Sequence, residues 1–160
     1  MYATIDRTAG ATTLRFDRRL PHPSADVWAA LAESGERAKW LAPGEIELRD
    51  GGRVLLAFAD GGTVIDSTVT AVDPGRLLEF GWTSAKEDGG PVRWELSDAD
   101  GGGTRLVLTC TLPPETNAAK TAAAWHMHLE MLDRALAGEP AAWSMPRFTE
   151  LRAHYMAAGG

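Results

Sequence analysis

The feature that most constrains this chain is a series of short segments that alternate apolar and polar residues and are separated by turn-forming residues. Stretches rich in glycine, proline and acidic residues occur at 50–52, 60–62, 73–75, 87–91 and 98–103. Alternation with period two is typical of strands with one buried face, and the short intervals indicate antiparallel connections. We therefore predict strands at 12–20, 45–49, 53–59, 63–72, 77–84, 92–98 and 104–112.

The apolar face of this predicted seven-stranded sheet needs a cover. Leu78, Phe80 and Trp82 share one face of their strand, while Glu79 points the other way. A sheet with one wet face must pack its apolar face against another element. The only segment long enough for that role is a helical stretch at 116–138.

The stretch at 116–138 has the period of an amphipathic helix. At about 100° per residue, one apolar stripe lies within about 40° of Trp125. The stripe consists of Ala118, Trp125, Leu129, Leu132 and Leu136. Thr116 or Asn117 can cap the start, and Gly138 is suited to the end. The sequence predicts an α+β fold in which a curved antiparallel sheet of seven strands wraps around this long C-terminal helix.

Shorter helices are predicted on either side of these elements. One runs over 24–34 with Ser24 as its cap, and a second runs over 35–42 and ends before Pro43. After Gly138, helical spacing of Phe148, Leu151 and Tyr155 predicts a last short helix. We expect a single domain over 1–160, with a core at 12–138 and a C-terminal extension at 139–160.

The charge balance and the single cysteine exclude several classes of protein. The chain has 160 residues with 16 basic and 22 acidic side chains, a net charge of −6, so we expect no nucleic-acid partner. Cys110 is alone, which rules out an internal disulfide, and its strand pattern indicates an inert buried thiol. No apolar run has the length of a membrane span or a signal peptide, so we expect no membrane association and a cytoplasmic location.

Four stretches together resemble a known family. They are PHPSADVWAAL at 21–31, AKWLAPG at 38–44, VDPGRLLEFGW at 72–82 and AAWHMHLEMLDRAL at 123–136. With the order of elements, they resemble the helix-grip fold of the START/Bet v 1-like (SRPBCC) superfamily. The nearest resemblance within it is to bacterial proteins similar to the C-terminal domain of the activator of Hsp90 ATPase. That family commonly has glycine before the helix tryptophan, where this chain has Ala124. Because relatives include lipid carriers, hormone receptors, polyketide cyclases and co-chaperone domains, the resemblance implies a cavity but no particular reaction.

Three tryptophans are predicted to point into the space between sheet and helix: Trp82, Trp94 and Trp125. Leu129 and Leu132 extend the same surface, and His128 lies at its edge, where it can offer a polar, titratable group. An aromatic-lined space is typical of a small-molecule site. The alternative is that these side chains fill a closed core.

Other candidate groups have weaker patterns. His126, His128 and Glu130 form H-x-H-x-E, but helix positions two residues apart diverge by about 200°, so we expect no metal site. His126 and Glu130 are predicted to pair on an outer flank of the helix. Asp66 is a candidate acid only if the Val64 face of its strand is buried, and an outward position is the alternative. No nucleotide-binding or common hydrolase motif occurs, and we expect no cofactor.

We carry three hypotheses for function. The preferred one is non-catalytic binding of a small apolar or amphipathic ligand by Trp82, Trp94, Trp125, Leu129 and Leu132, with His128 as polar anchor. The second is a protein-interaction module similar to the Hsp90 co-chaperone domain. The third is an enzyme of the cyclase or dehydratase type that uses His128 or Asp66 for acid–base catalysis.

The C-terminal extension leaves the oligomeric state open. Apolar residues there, with two methionines predicted on the exposed side of the long helix, can form a homodimer contact. These residues are Met127, Met131, Trp143, Phe148, Leu151 and Tyr155. The alternative is a tail that folds back over its own domain.

Overall fold

The computed structural model describes residues 1–58 and 62–159 of the chain. Its strands are β1 (Thr4–Arg7), β2 (Thr12–Leu20), β3 (Gly44–Ile46), β4 (Arg53–Ala57), β5 (Val64–Asp73), β6 (Leu77–Thr83), β7 (Asp88–Asp98) and β8 (Thr104–Leu112). Its helices are α1 (Ser24–Ala32), α2 (Ser34–Arg37), α3 (Ala118–Leu136) and α4 (Met145–Ala157), with a 3₁₀ turn at Asp100–Gly102.

The strands in the described residues form one antiparallel sheet in the order β1-β2-β8-β7-β6-β5-β4-β3. This α+β arrangement, a curved open sheet with a long C-terminal helix, confirms the predicted helix-grip fold. The sheet has eight strands instead of seven, because β1 pairs with β2 from Thr4 opposite Arg15 to Arg7 opposite Thr12. Strand β1 has Ile5 as its only large apolar residue, so it lacks the alternation by which the other seven were predicted.

Some predicted boundaries were wrong. Pro23 occupies the position before α1, and Ser24 is its first helical residue without capping it. The second helix ends at Arg37, because the next backbone hydrogen bonds join Lys39 to Glu36 and Trp40 to Arg37 with the tighter i to i−3 spacing. Strand β3 is shorter than predicted, and β7 starts inside the predicted turn at 87–91. Of the predicted turn at 60–62, only residue 62 is among the described residues.

Helix α3 begins and ends as its sequence predicts. The side chain of Asn117 accepts a hydrogen bond from the Lys120 backbone N–H at 3.0 Å, which identifies Asn117 as the cap. Gly138 has a φ of +75°, the left-handed conformation that favours glycine after a helix. No helix among the described residues is long and apolar enough to cross a membrane.

The C-terminal extension folds back as α4 and packs along α3. Leu151 and Tyr155 are buried, whereas 40% of Trp143 is exposed. Met127 and Met131 are also buried, so the prediction that they lie on an exposed side of the long helix was wrong. The reason is that elements outside the sheet, α4 foremost, cover the faces of α3 that the sheet leaves open.

Candidate functional site

The three predicted tryptophans meet in the space between sheet and helix. Trp94 on β7 is fully buried, and its ring centroid lies 5.6 Å from that of Trp125 on α3. Trp125 lies 4.7 Å from Trp82 on β6, ring edge toward ring face. Such edge-to-face contacts are the preferred geometry of aromatic pairs. The strand alternation and the helical stripe therefore predicted the convergence of these rings correctly.

The cluster continues outward to the protein surface. Phe58 lies 5.9 Å from Trp82 and 6.0 Å from His128, and His128 lies 5.4 Å from Trp143. Exposure rises along the series from 0% at Trp94 to 40% at Trp143. We call this series the aromatic row, and its members are Trp94, Trp125, Trp82, Phe58, His128 and Trp143.

Two members of the aromatic row were not among the predicted site residues. Phe58 follows Val54 and Leu56 at every second position, and this alternation is a signal that would have placed it on the inner face. Trp143 lies in the connection between α3 and α4, where no periodicity indicates a direction. Its position beside His128 depends on how the chain returns after Gly138.

Leu129 and Leu132 extend the apolar surface of α3 as predicted, and both are buried. Leu129 also lines a cavity of about 170 Å³ between β2 and α3, together with Arg18, Glu130 and Asp133. A second cavity, of about 350 Å³, lies on the polar face of the sheet beside Arg76, Arg93 and Arg105. Neither cavity is lined by a member of the aromatic row, whose rings are packed against one another.

His128 faces the aromatic row and is anchored to the backbone. Its Nδ1 lies 3.0 Å from the carbonyl oxygen of Trp40. Burial lowers the pKa of His128, and the hydrogen bond to the Trp40 carbonyl acts against that shift to a smaller extent. The imidazole is therefore neutral near pH 7.

The indole N–H groups of the interior differ in their partners. Trp40 Nε1 donates to the Ala30 carbonyl at 2.8 Å. Trp94 Nε1 is buried and has no hydrogen-bond partner among the described residues. An unpaired buried donor costs about 1–3 kcal/mol. Trp94 thus contributes packing but no hydrogen bond.

His126 corrects the prediction of an outer flank. Its side chain is 3% exposed, and its Nδ1 lies 2.8 Å from the hydroxyl of Tyr155 on α4. Burial, reinforced by the positive charge of Arg18, lowers the pKa of His126 to about 4. Its Nε2 lies 3.8 Å from Glu130, so the predicted pairing exists but is covered by α4.

His126 and His128 lie on different faces of α3, as their spacing predicted. His126 contacts Tyr155, and His128 contacts Trp40 and Trp143. The described residues contain no group of three side chains suited to hold one metal ion.

Asp66 lies on the outer face of the sheet, which answers the question that its sequence context left open. Its side chain is 56% exposed and pairs with Arg53 at 3.2 Å. Val64, on the same face, is also exposed, while Ile65 is buried. Asp66 is therefore no buried acid.

Cys110 is fully buried, and burial raises the pKa of its thiol, which keeps it protonated and unreactive.

Comparisons with known proteins agree with this architecture. BPP1335 from Bordetella parapertussis is 30% identical, with 98% of this chain and 90% of that chain covered and a TM-score of 0.72. CalU16 from Micromonospora echinospora is 22% identical, with 97% and 95% covered and a TM-score of 0.76. Aha1 from Colwellia psychrerythraea, solved as a dimer, is 19% identical, with 78% and 95% covered and a TM-score of 0.64. No match was found among curated proteins.

A family profile also matches most of the chain. It covers residues 21–137, from the start of α1 to the end of α3, and it describes the activator of Hsp90 ATPase homolog 1-like proteins. That span includes all four sequence stretches on which the resemblance was based. The chain belongs to the family of activator of Hsp90 ATPase homolog 1-like proteins, within the SRPBCC-type fold.

Proposed function

We propose that this protein binds a small apolar or amphipathic molecule, without catalysis, between the sheet and α3. The observation that carries the proposal is the aromatic row, which leads from the buried Trp94 to the partly exposed Trp143. Its rings come from β6, β7, α3, the residue after β4 and the connection after α3, so both walls of the space contribute. A molecule at the exposed end would meet aromatic surface on several sides.

The half-buried members of the row form the proposed entrance. Phe58, Trp82 and His128 are each partly accessible, whereas Trp125 is 4% exposed. We propose that a ligand first contacts these side chains and that Trp94, Trp125, Leu129 and Leu132 form the apolar floor. Because the rings already contact one another, the ligand would have to replace ring contacts, which limits its affinity.

The placement of the ionisable groups favours binding over acid–base chemistry. Asp66 is on the opposite face of the sheet and cannot reach the row. His128 is the only titratable side chain of the row, so no second acid or base from the row can assist it. We therefore propose binding and no reaction.

Native mass spectrometry combined with tryptophan quenching tests this function. A panel of apolar aromatic molecules should add a bound mass and quench the fluorescence of the wild-type protein. Replacing Trp82 by Phe should weaken the quenching several-fold. The matched control is Trp28→Phe, at a half-buried tryptophan on α1 outside the row. The absence of any bound mass and of any quenching would contradict the proposal.

A protein-interaction role is the second candidate, and family membership favours it. We propose that its surface is the exposed pair Trp143 and Met145, whose side chains are 40% and 59% exposed. Of the residues predicted for a homodimer contact, Trp143 is exposed and Phe148 is half-buried, whereas Met127, Met131, Leu151 and Tyr155 are buried. A pulldown with Hsp90 tests the chaperone partner, and light scattering tests the dimer. Recovery of no chaperone together with a monomeric mass would remove this candidate.

A further inference from the structure

The hydrogen bond between His128 and Trp40 determines which imidazole nitrogen carries the proton. Nδ1 lies 3.0 Å from the Trp40 carbonyl oxygen, which can only accept a hydrogen bond. Nδ1 must therefore be the donor. In the neutral ring that burial favours, the second nitrogen, Nε2, then carries a lone pair and acts as an acceptor.

The lone pair on Nε2 has no partner in the described part of the chain. His128 makes its one hydrogen bond there through Nδ1. Nε2 is also not among the buried polar atoms that lack a partner, and the His128 side chain is half-buried. Within the described residues it is thus an acceptor that can take a hydrogen bond from another molecule.

The surroundings of this acceptor are aromatic. The ring centroids of Trp143, Trp125 and Phe58 lie 5.4, 5.9 and 6.0 Å from that of His128. Among the described residues no charged side chain forms an ion pair with it. In so apolar a setting, a ligand that excludes water without donating a hydrogen bond to Nε2 would leave this acceptor unpaired, which costs free energy. A ligand atom that faced Nε2 with a lone pair would be repelled by it.

We infer that the ligand is an apolar or aromatic molecule bearing an uncharged hydrogen-bond donor, such as a phenolic hydroxyl, which donates to Nε2 of His128. The inference rests on the proposed function and specifies the ligand class. The oxygen of an ether, a ketone or a carboxylate would face Nε2 with its own lone pair, and the two lone pairs would repel each other. A cationic donor would have to lose its hydration among aromatic rings with no carboxylate to replace it.

Three probes of nearly equal shape test the inference: 1-naphthol, 1-methoxynaphthalene and naphthalene. Calorimetric titration of the wild-type protein should give 1-naphthol an affinity roughly three- to tenfold higher than that of 1-methoxynaphthalene, the range expected for one neutral hydrogen bond. The variant His128→Phe keeps a ring at this position but removes the acceptor. It should bring the three affinities together, while His154→Phe, at an exposed histidine on α4, should leave the preference unchanged.

Nitrogen-15 NMR of the histidine rings supplies a test that needs no variant. The wild-type protein should show His128 protonated at Nδ1 and unprotonated at Nε2. The opposite tautomer would overturn the inference. So would equal binding of 1-naphthol and 1-methoxynaphthalene, or a preference that survives in His128→Phe, although the proposed function would stand in both cases. If none of the three probes binds, both the inference and the proposed function fail.

Discussion

Two histidines only two positions apart on α3 lie in opposite environments. His126 faces α4 and the N-terminal segment, where its Nδ1 accepts from Tyr155 at 2.8 Å and the Tyr155 hydroxyl in turn accepts from the Ala3 backbone N–H at 2.8 Å. His128 faces the aromatic row, where Nδ1 makes its one hydrogen bond to the described residues. The α4 side of the helix is a closed polar network, and the sheet side is apolar, with one acceptor that has no partner among the residues that the structure describes.

The difference shows that the partner, and not the residue type, decides the chemistry of a histidine. The Tyr155 hydroxyl can donate or accept, whereas the Glu130 carboxylate 3.8 Å from Nε2 can only accept, which favours the proton on Nε2 and leaves Nδ1 to accept from Tyr155. The Trp40 carbonyl can only accept, which produces the opposite tautomer in His128. Glu130 is held in turn by Arg147, at 2.8 Å. The α4 side therefore contributes to the stability of the fold, and the sheet side carries the proposed ligand site.

The largest expected effect comes from removing a ring on the sheet side. Trp125→Ala deletes the contacts with Trp82 and Trp94 and leaves space that the packed interior cannot fill. The free energy of unfolding should fall by about 3–5 kcal/mol, measured by urea denaturation. Trp28→Phe is the control for a tryptophan outside the row. A loss below about 1 kcal/mol would show that the row is loosely packed.

Low pH should destabilise the protein through His126, on the α4 side of α3. The pKa of His126 is lowered from 6.5 to about 4 in the folded protein, so the unfolded chain takes up a proton near pH 6.5 and the folded chain does not. Stability should therefore fall as the pH drops from about 6.5 to about 4, by up to about 3 kcal/mol from this residue, and this contribution should then level off.

The variant His126→Asn isolates that contribution. Its amide can still accept from Tyr155 but does not titrate, so the wild type should lose more stability than the variant over this pH range. The difference between the two proteins cancels acid-sensitive groups that do not contact His126, which include His128. Parallel stability curves for the two proteins would contradict a neutral, buried His126.

The hydroxyl of Tyr155 offers a sharper comparison of the two sides. Tyr155→Phe keeps the ring but leaves two groups unpaired, the buried Nδ1 of His126 and the half-buried N–H of Ala3. We expect a loss of about 1–3 kcal/mol. His128→Phe breaks one hydrogen bond on the sheet side and should cost less, about 1 kcal/mol. Thermal denaturation of both variants checks which one loses more stability. A larger loss in His128→Phe would contradict the description of the α4 side as a closed network and of the sheet side as open.

The smallest effect separates two buried tryptophans in contact with each other. Trp40 and Trp94 lie 5.7 Å apart, but only Trp40 has a partner for its indole N–H. Trp40→Phe should therefore cost about 1 kcal/mol more than Trp94→Phe, since the latter removes a donor that makes no hydrogen bond. Equal losses in urea denaturation would show that the Trp94 donor is satisfied in solution.

The sequence alone determined the main architecture and the convergence of the predicted tryptophans. Alternation in the strands and the 3.6-residue period of α3 each define a buried face from local information, so Trp82, Trp94 and Trp125 could be directed to one space before any contact was known. The same logic failed for β1, where Ile5 is the only large apolar residue. Strand β1 forms because β2 offers it an edge.

Only the tertiary structure decided what covers the remaining faces of α3 and how its histidines bond. Periodicity relates a residue to its own helix but carries no information about a distant segment, so the burial of Met127, Met131 and His126 was not foreseen. Tautomers depend on a single atom of a partner, here the Tyr155 hydroxyl 29 residues away and the Trp40 carbonyl 88 residues away. Such long-range contacts arise when the chain folds, and they made one histidine part of the core and the other a candidate ligand anchor.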